Sequence, residues 1–498
     1  MATTVTLTGD SLTIDDVVAV ARGGARLAVD PASADRADRS RAVVQRLIDG
    51  GAAIYGVTTG FGRLATVRIA PESAAELQRN LILSHAAGLG LPLPVDVVRG
   101  IMVLRANVLL KPTSGVRSVL AQRIAALVNA GIHPIVPEQG SVGASGDLAP
   151  LSHVALALMG EGEVTVDRRV SAQEALDAAG IEPVVFQAKE GLAFINGTQA
   201  QSAVLALLVY DARNLWRTAH GAAAMSLEAL LGTPAPFDAR LHAARPHRGQ
   251  VASARLLTDL LAGSEIRESH RTNDPRVQDA YSLRCTPQIL GAVGDAVEFA
   301  ARTVEVELNA ATDNPLVFGE EIVSGGNFHG QPVALALDVL AIALTTLAGL
   351  SERRIERLVN PDLSQGLPPF LTPKAGLQSG LMMVQVAAAA LVAESRTLCT
   401  PASVQSIPTD ANQEDVVPMG MAAAFKARRI LANAQRAVAA ELLCAAQGLE
   451  FRKPLGPGAG VQRLYRRIRD AVPALVEDRP LTPDLERLAA LAAREALI

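Results

Sequence analysis

Three stretches of this chain, at 116–130, 295–310 and 421–447, contain neither glycine nor proline, and in each the apolar residues recur every three to four positions. That period lines apolar side chains along one stripe of an α-helix and does not fit the two-residue alternation of a strand. Each stretch therefore predicts a long helix, and several such helices together predict a bundle. Aromatic residues make up only 3% of the chain while Ala, Leu and Val dominate, which favours close helix-on-helix packing over a sheet of β-branched and aromatic residues. The expected fold class is mainly α. The first two hundred residues are more broken, with β-like pieces at Thr4-Val5-Thr6-Leu7 and Glu163-Val164-Thr165-Val166 between glycine-rich turns. A mixed N-terminal region over 1–200 is expected to precede a helical bundle and C-terminal helical region over 201–498.

With 498 residues the chain exceeds one small domain and has ample length for a large core. Its 46 basic and 50 acidic residues leave a net charge of -4 and are spread rather than blocked, which argues against nucleic-acid or anionic-membrane partners. A small polar substrate is expected instead. Cys285, Cys399 and Cys444 are odd in number and widely spaced, a pattern that fits neither a disulfide framework nor a zinc cluster and points to a reducing, cytoplasmic compartment. The first ten residues have no basic or apolar run of the kind a signal peptide needs. The segment 333–350 is apolar enough to raise the question of a membrane span. Asp338 interrupts it, however, and Ser351-Glu352-Arg353-Arg354 follows without an aromatic belt, so a buried helix is expected. Helices rich in small residues with apolar stripes predict a homo-oligomer.

The chemistry concentrates in PEQGSVGASGDLAPLSHVALALMGEG, from Pro137 to Gly162, where Gly140, Gly143 and Gly146 crowd small residues around Ser145. Such a loop permits backbone geometry closed to other residues. A helix is expected to start near Leu148. No Gly-Lys-Ser/Thr ending follows, and no strand with G-x-G-x-x-G precedes, so the nucleotide-binding motifs fail on their own terms.

From Gly140 to Ser152 the string resembles, at every position, the signature of the histidine and aromatic amino-acid ammonia-lyase family. The likeness extends from about Asp10 to Glu450, with motifs in the family's order. The resemblance implies a central helical bundle of the fumarase/aspartase-like type. It also implies that Ala144-Ser145-Gly146 cyclises without an external enzyme: the Gly146 nitrogen attacks the Ala144 carbonyl, two waters leave, and a methylidene-imidazolone (MIO) results. The residue types suit that chemistry, since Gly146 has no Cβ to hinder its nitrogen and Ser145 carries the hydroxyl to be lost. Without such a group the side chains offer no strong electrophile. No motif for a metal, flavin, nicotinamide or pyridoxal group stands in the chain, and no dissociable cofactor is expected.

The resemblance carries over to further residues one motif at a time. In Ile54-Tyr55-Gly56-Val57-Thr58-Thr59-Gly60-Phe61-Gly62 it makes Tyr55 the general base for the substrate β-proton, on a glycine-flanked lid loop. That role requires a phenol pKa well below its usual value of about 10. Ser84-His85 is the histidine-lyase pattern at the position that meets the substrate side chain, where phenylalanine lyases tend to show Phe-Leu and tyrosine lyases His-Leu. Asn196, in Leu192 to Gln199, would help hold the substrate and the MIO oxygen. Tyr281 and Arg284 stand three apart, on one face if helical. Arg284 would hold the substrate carboxylate, and Tyr281 would donate to the MIO oxygen or relay a proton. A surface ion pair beside a core tyrosine is the plainer alternative there. Phe328, in Gly325-Gly326-Asn327-Phe328-His329-Gly330-Gln331, would lie beside the MIO ring. In Asn412-Gln413-Glu414-Asp415, Gln413 and Glu414 would meet the substrate, with Glu414 at a position where histidine lyases carry a carboxylate.

The resemblance thus implies deamination of L-histidine to urocanate by a cytoplasmic homotetramer with shared active sites. Two positions depart from the histidine-lyase pattern. Val416 replaces a histidine usual after the Glu-Asp pair, and Gly330-Gln331 recurs in tyrosine lyases and aminomutases. A tyrosine- or phenylalanine-acting lyase or 2,3-aminomutase is therefore the first alternative, and an inactive scaffold homologue the second.

Overall fold

The computed structural model describes residues 3–51 and 54–498. The protein is mainly α: among the described residues, nineteen α-helices accompany nine strands of two to four residues each. The four longest helices are Gln199–Ala229, Thr286–Glu307, Gln331–Val359 and Gly420–Glu450. They contain the predicted segments 333–350 and 421–447, whereas the prediction at 295–310 overruns by three residues. The predicted 116–130 helix is found as Val119–Asn129, and the predicted strand pieces as Thr4–Leu7 and Glu163–Thr165.

The chain divides into two compact units. The first gathers the described residues of Met1–Tyr210 with Ala300–Asp338 and Pro401–Phe425. Its short strands form a parallel pair, Thr4–Leu7 with Arg26–Val29, an antiparallel sheet of three and two further pairs. The buried Val95–Leu109 helix supplies Arg105, whose Nη2 donates to Ala193 O at 2.5 Å and whose Nη1 donates to Gln199 Oε1 at 2.5 Å and Asn196 O at 3.2 Å. Lys189, also buried, donates to Ser114 O at 2.5 Å and to Asp313 at 3.3 Å. The two cations thus fix opposite ends of the Glu190–Ile195 helix. A buried charge is tolerated only with such partners.

The second unit comprises Asp211–Phe299, Val339–Thr400 and Lys426–Ile498. Here the Gln199–Ala229, Gln331–Val359 and Gly420–Glu450 helices meet at one buried polar group. Arg354 donates to Glu441 at 2.5 and 2.8 Å, and Ser226 Oγ donates to the same carboxylate at 2.8 Å. Among the described residues, Gln331–Val359 is the one helix long and apolar enough to cross a membrane. It is nevertheless a core helix, as expected: 72% of its apolar window is buried, and its Asp338 accepts from the backbone N–H groups of Ala402 and Ser403 at 3.1 and 2.7 Å.

Candidate active site

The loop between the strand Pro137–Gln139 and the helix Leu148–Leu158 turns through left-handed backbone at Gly140, Gly143 and Gly146, with φ of +133°, +75° and +78°. At Gly146 glycine is required twice over. A side chain would meet the backbone of Gly197, and that approach is pinned by the Asp147 N–H, which donates to Gly197 O at 2.7 Å. The Asp147 carboxylate accepts from Ser141 Oγ at 2.8 Å and from the Gln201 N–H at 2.9 Å, tying the two ends of the loop together. Burial pushes its pKa up to about 6.

Ser145 is held from both sides. Its hydroxyl donates to Glu414 Oε1, and its carbonyl oxygen accepts from Asn196 Nδ2 at 2.6 Å. Asn196 caps the C-terminus of the Glu190–Ile195 helix and is 3% exposed, and its side-chain oxygen is buried without a partner. Glu414 comes from a tight hairpin in which it pairs with Thr409, whose hydroxyl donates to the second carboxylate oxygen at 2.5 Å. Glu414 therefore spends both oxygens on the protein itself, one of them on Ser145.

These groups open onto a cavity of about 630 Å³, which Tyr55, His85, Phe328, Asp410 and Gln413 also line. The Tyr55 hydroxyl accepts from the Gly62 N–H at 2.9 Å. Burial raises its pKa, and Asp410 and Glu414 add to the rise. This is the reverse of the lowered phenol that a base requires. His85 ends the Ala74–His85 helix, and its Nδ1 lies 2.8 Å from Leu81 O. A carbonyl can only accept, so Nδ1 carries the proton and Nε2 is the acceptor. Burial lowers the His85 pKa and favours that neutral form. Phe61 meets its ring edge-on at 5.8 Å.

Of the residues expected at the site, Tyr55, His85, Ser145, Asn196, Phe328, Gln413 and Glu414 line this one cavity, with Ala144 and Gly146 flanking Ser145 in the chain. Tyr281 and Arg284 do not line it. They share the four-residue helix Tyr281–Arg284 in the second unit, with the guanidinium 4.6 Å from the ring centroid. Tyr281 is 69% exposed, and the Arg284 Nε is buried without a partner. Sequence reasoning missed Asp410 and Asn314, both of which line the cavity. Asp410 stands two positions before the Asn412-Gln413-Glu414-Asp415 motif, a signal within reach. Asn314 Oδ1 accepts the Gly325 N–H at 2.7 Å and so fixes the turn before Phe328, a role with no sequence signal.

The serine-centred glycine loop is held by an amide and a carboxylate in a cavity that a phenol and an imidazole also line, and the relatives of the chain make it an enzyme of the carbon–nitrogen lyase class. The chain belongs to the aromatic amino acid lyase family, whose model matches residues 12–470. It is 53% identical to histidine ammonia-lyase from Anaeromyxobacter sp. (strain K), over 98% of each chain. Among solved structures, histidine ammonia-lyase from Trypanosoma cruzi superposes with a TM-score of 0.92 at 42% identity, covering 99% of this chain and 94% of that one. Tyrosine aminomutase from Streptomyces globisporus superposes with a TM-score of 0.94 at 41% identity, over 98% and 97% of the two chains.

Proposed function

We propose that this enzyme removes ammonia from L-histidine without oxidation, giving urocanate, and that Ala144-Ser145-Gly146 becomes the MIO group it uses. The observation that carries the reading is the double hold on Ser145. Asn196 donates to the carbonyl oxygen the ring would keep, and Glu414 accepts from the hydroxyl the ring would lose. Gly146, left-handed and without room for a side chain, suits the attacking nitrogen. The residues present therefore fit the group. Once formed, the MIO supplies an electrophile that takes up the substrate amine and makes it a leaving group.

The remaining steps fall to side chains. Tyr55 is the group for the β-proton, and the carboxylates of Asp410 and Glu414 oppose its ionisation in the isolated chain. A protonated imidazole on the substrate would offset those carboxylates, which favours histidine over a neutral aromatic ring. His85, neutral and with Nε2 as acceptor, suits an imidazole N–H. Phe328 offers an apolar wall. Arg284 is assigned to the substrate carboxylate and Tyr281 to the oxygen-binding side, both from another subunit of a homotetramer. The exposure of Tyr281 and the unpaired Arg284 Nε support that assignment. A sizing column checks it: an apparent mass near four times the 51.9 kDa chain is expected, and a monomer contradicts it.

Val416 and Gly330-Gln331, with the likeness to a tyrosine aminomutase, keep a tyrosine- or phenylalanine-acting lyase or aminomutase as the second reading. Ultraviolet absorbance after separate additions of L-histidine, L-tyrosine and L-phenylalanine decides between them, with Ser145→Ala as control. Urocanate from the wild type alone supports the proposal. Product from an aromatic substrate only, or a β-amino acid, replaces it with the second reading.

A further inference from the structure

One hairpin sends two carboxylates of the cavity in different directions. Thr409 and Glu414 pair across it, with Thr409 N to Glu414 O at 3.0 Å and Glu414 N to Thr409 O at 3.3 Å. Between them Asp410, Ala411 and Asn412 take φ of 47°, 50° and 65°, three successive left-handed residues of which none is glycine. Backbone of this kind is costly for a residue with a Cβ, and it persists only where the surroundings hold it, most often at functional sites. Glu414 turns to Ser145, whereas Asp410 turns to the loop that carries Tyr55. Its Oδ2 accepts the Arg63 N–H at 3.1 Å. That N–H lies in the first turn of the short Gly62–Leu64 helix, where no acceptor exists within the helix itself. The preceding N–H, of Gly62, donates to the Tyr55 hydroxyl at 2.9 Å. Gly62 is also left-handed, and a side chain there would run into the Asp410 carboxylate, so the two loops touch along this edge.

We propose that Asp410 is a positioning residue for the general base: by capping the Gly62–Leu64 turn from the opposite loop, it fixes the Gly62 N–H that holds the Tyr55 hydroxyl. The inference rests on the reading of Tyr55 as the base. Asp410 reaches no reacting atom in this arrangement and acts through Arg63 and Gly62. Its charge has a second effect. The titratable groups that share the cavity with Tyr55 are Asp410 and Glu414, from one hairpin, and His85, from the Ala74–His85 helix. Burial does most to hold the phenol in its protonated form, and both carboxylates add to it. Removing one of the carboxylates eases ionisation.

The test uses the full-length enzyme with Asp410→Ala and Asp410→Asn, and two measurements. The first is backbone amide exchange over residues 54–69, read by mass spectrometry without substrate. Alanine leaves the Arg63 N–H without an acceptor, so exchange there is expected to quicken about tenfold, while asparagine retains an acceptor and stays near wild type. The second is the pH profile of kcat and KM for L-histidine. Alanine is expected to lower kcat about tenfold with KM within about twofold. Asparagine is expected to keep kcat and to move the rising limb of the profile to lower pH. Unchanged exchange in the alanine variant overturns the latch. Faster exchange with kcat and the limb unmoved overturns the positioning role. Failure of the base reading shows separately, as wild-type kcat in Tyr55→Phe, because the exchange measurement needs no turnover.

Discussion

Replacing Gly146 by alanine tests how the reactive loop is built. An added Cβ would stand closer than 3.0 Å to Gly197 N, O and C, a separation that real Cβ atoms essentially never show. The left-handed backbone at φ +78° costs a residue with a Cβ roughly 1–2 kcal/mol. The overlap is with backbone, so no rotamer relieves it, and residues 146 and 197 must part. The 2.7 Å bond from the Asp147 N–H to Gly197 O is lost as they do, and stranding a buried donor costs about 1–3 kcal/mol. Gly146→Ala is therefore expected to destabilise the protein by about 2–5 kcal/mol. Cyclisation would confound the comparison, so the substitution belongs in a Ser145→Ala background, where no hydroxyl can leave. Urea unfolding followed by circular dichroism reads the difference from the midpoint, with the slope checked for constancy. A loss below about 1 kcal/mol at unchanged slope would refute the close approach and the reasoning built on it.

Two further predictions concern the second unit. Burial pushes the Glu228 carboxyl up to about 7, while one of its oxygens accepts the Gly458 N–H at 2.9 Å. A folded pKa above the unfolded one makes this contribution full below about pH 4.5 and lost as the pH rises through about 7, by up to about 3 kcal/mol. Glu228→Gln should therefore lose less stability than wild type between about pH 5 and 8. Parallel stability curves would contradict this. Arg354→Met strands the buried Glu441 carboxylate and should cost about 3–5 kcal/mol, whereas adding Glu441→Met should recover most of it. A double variant no more stable than the single one would show that the ion pair is not the cause.

The elements that could be read from the chain were those with period and punctuation. The helices at 116–130 and 421–447 announced themselves by apolar spacing without glycine or proline, and Leu148 was marked as a helix start by the glycines before it. The cavity depends on other information. Ser145 meets Glu414 across 269 positions, and Arg63 meets Asp410 across 347. Contacts of that range leave no local pattern, so the motifs named most of the lining residues without giving their partners. The Tyr55 phenol shows the consequence. Its expected role called for a lowered pKa, yet burial and two carboxylates reached only through the fold move it upward. Likewise, nothing in the linear order marks 300–338 and 401–425 as segments that fold with the N-terminal part.

Every step proposed for this enzyme requires that Ala144-Ser145-Gly146 become an electrophile inside this cavity. Peptide mass spectrometry of the purified, freshly folded protein tests that requirement most directly, through the fragment that contains residues 144–146. A wild-type fragment lighter than its sequence mass by two waters is expected, and in the Ser145→Ala fragment the loss of water from residue 145 does not occur. A wild-type fragment at its full sequence mass, in protein that turns over L-histidine, would contradict it.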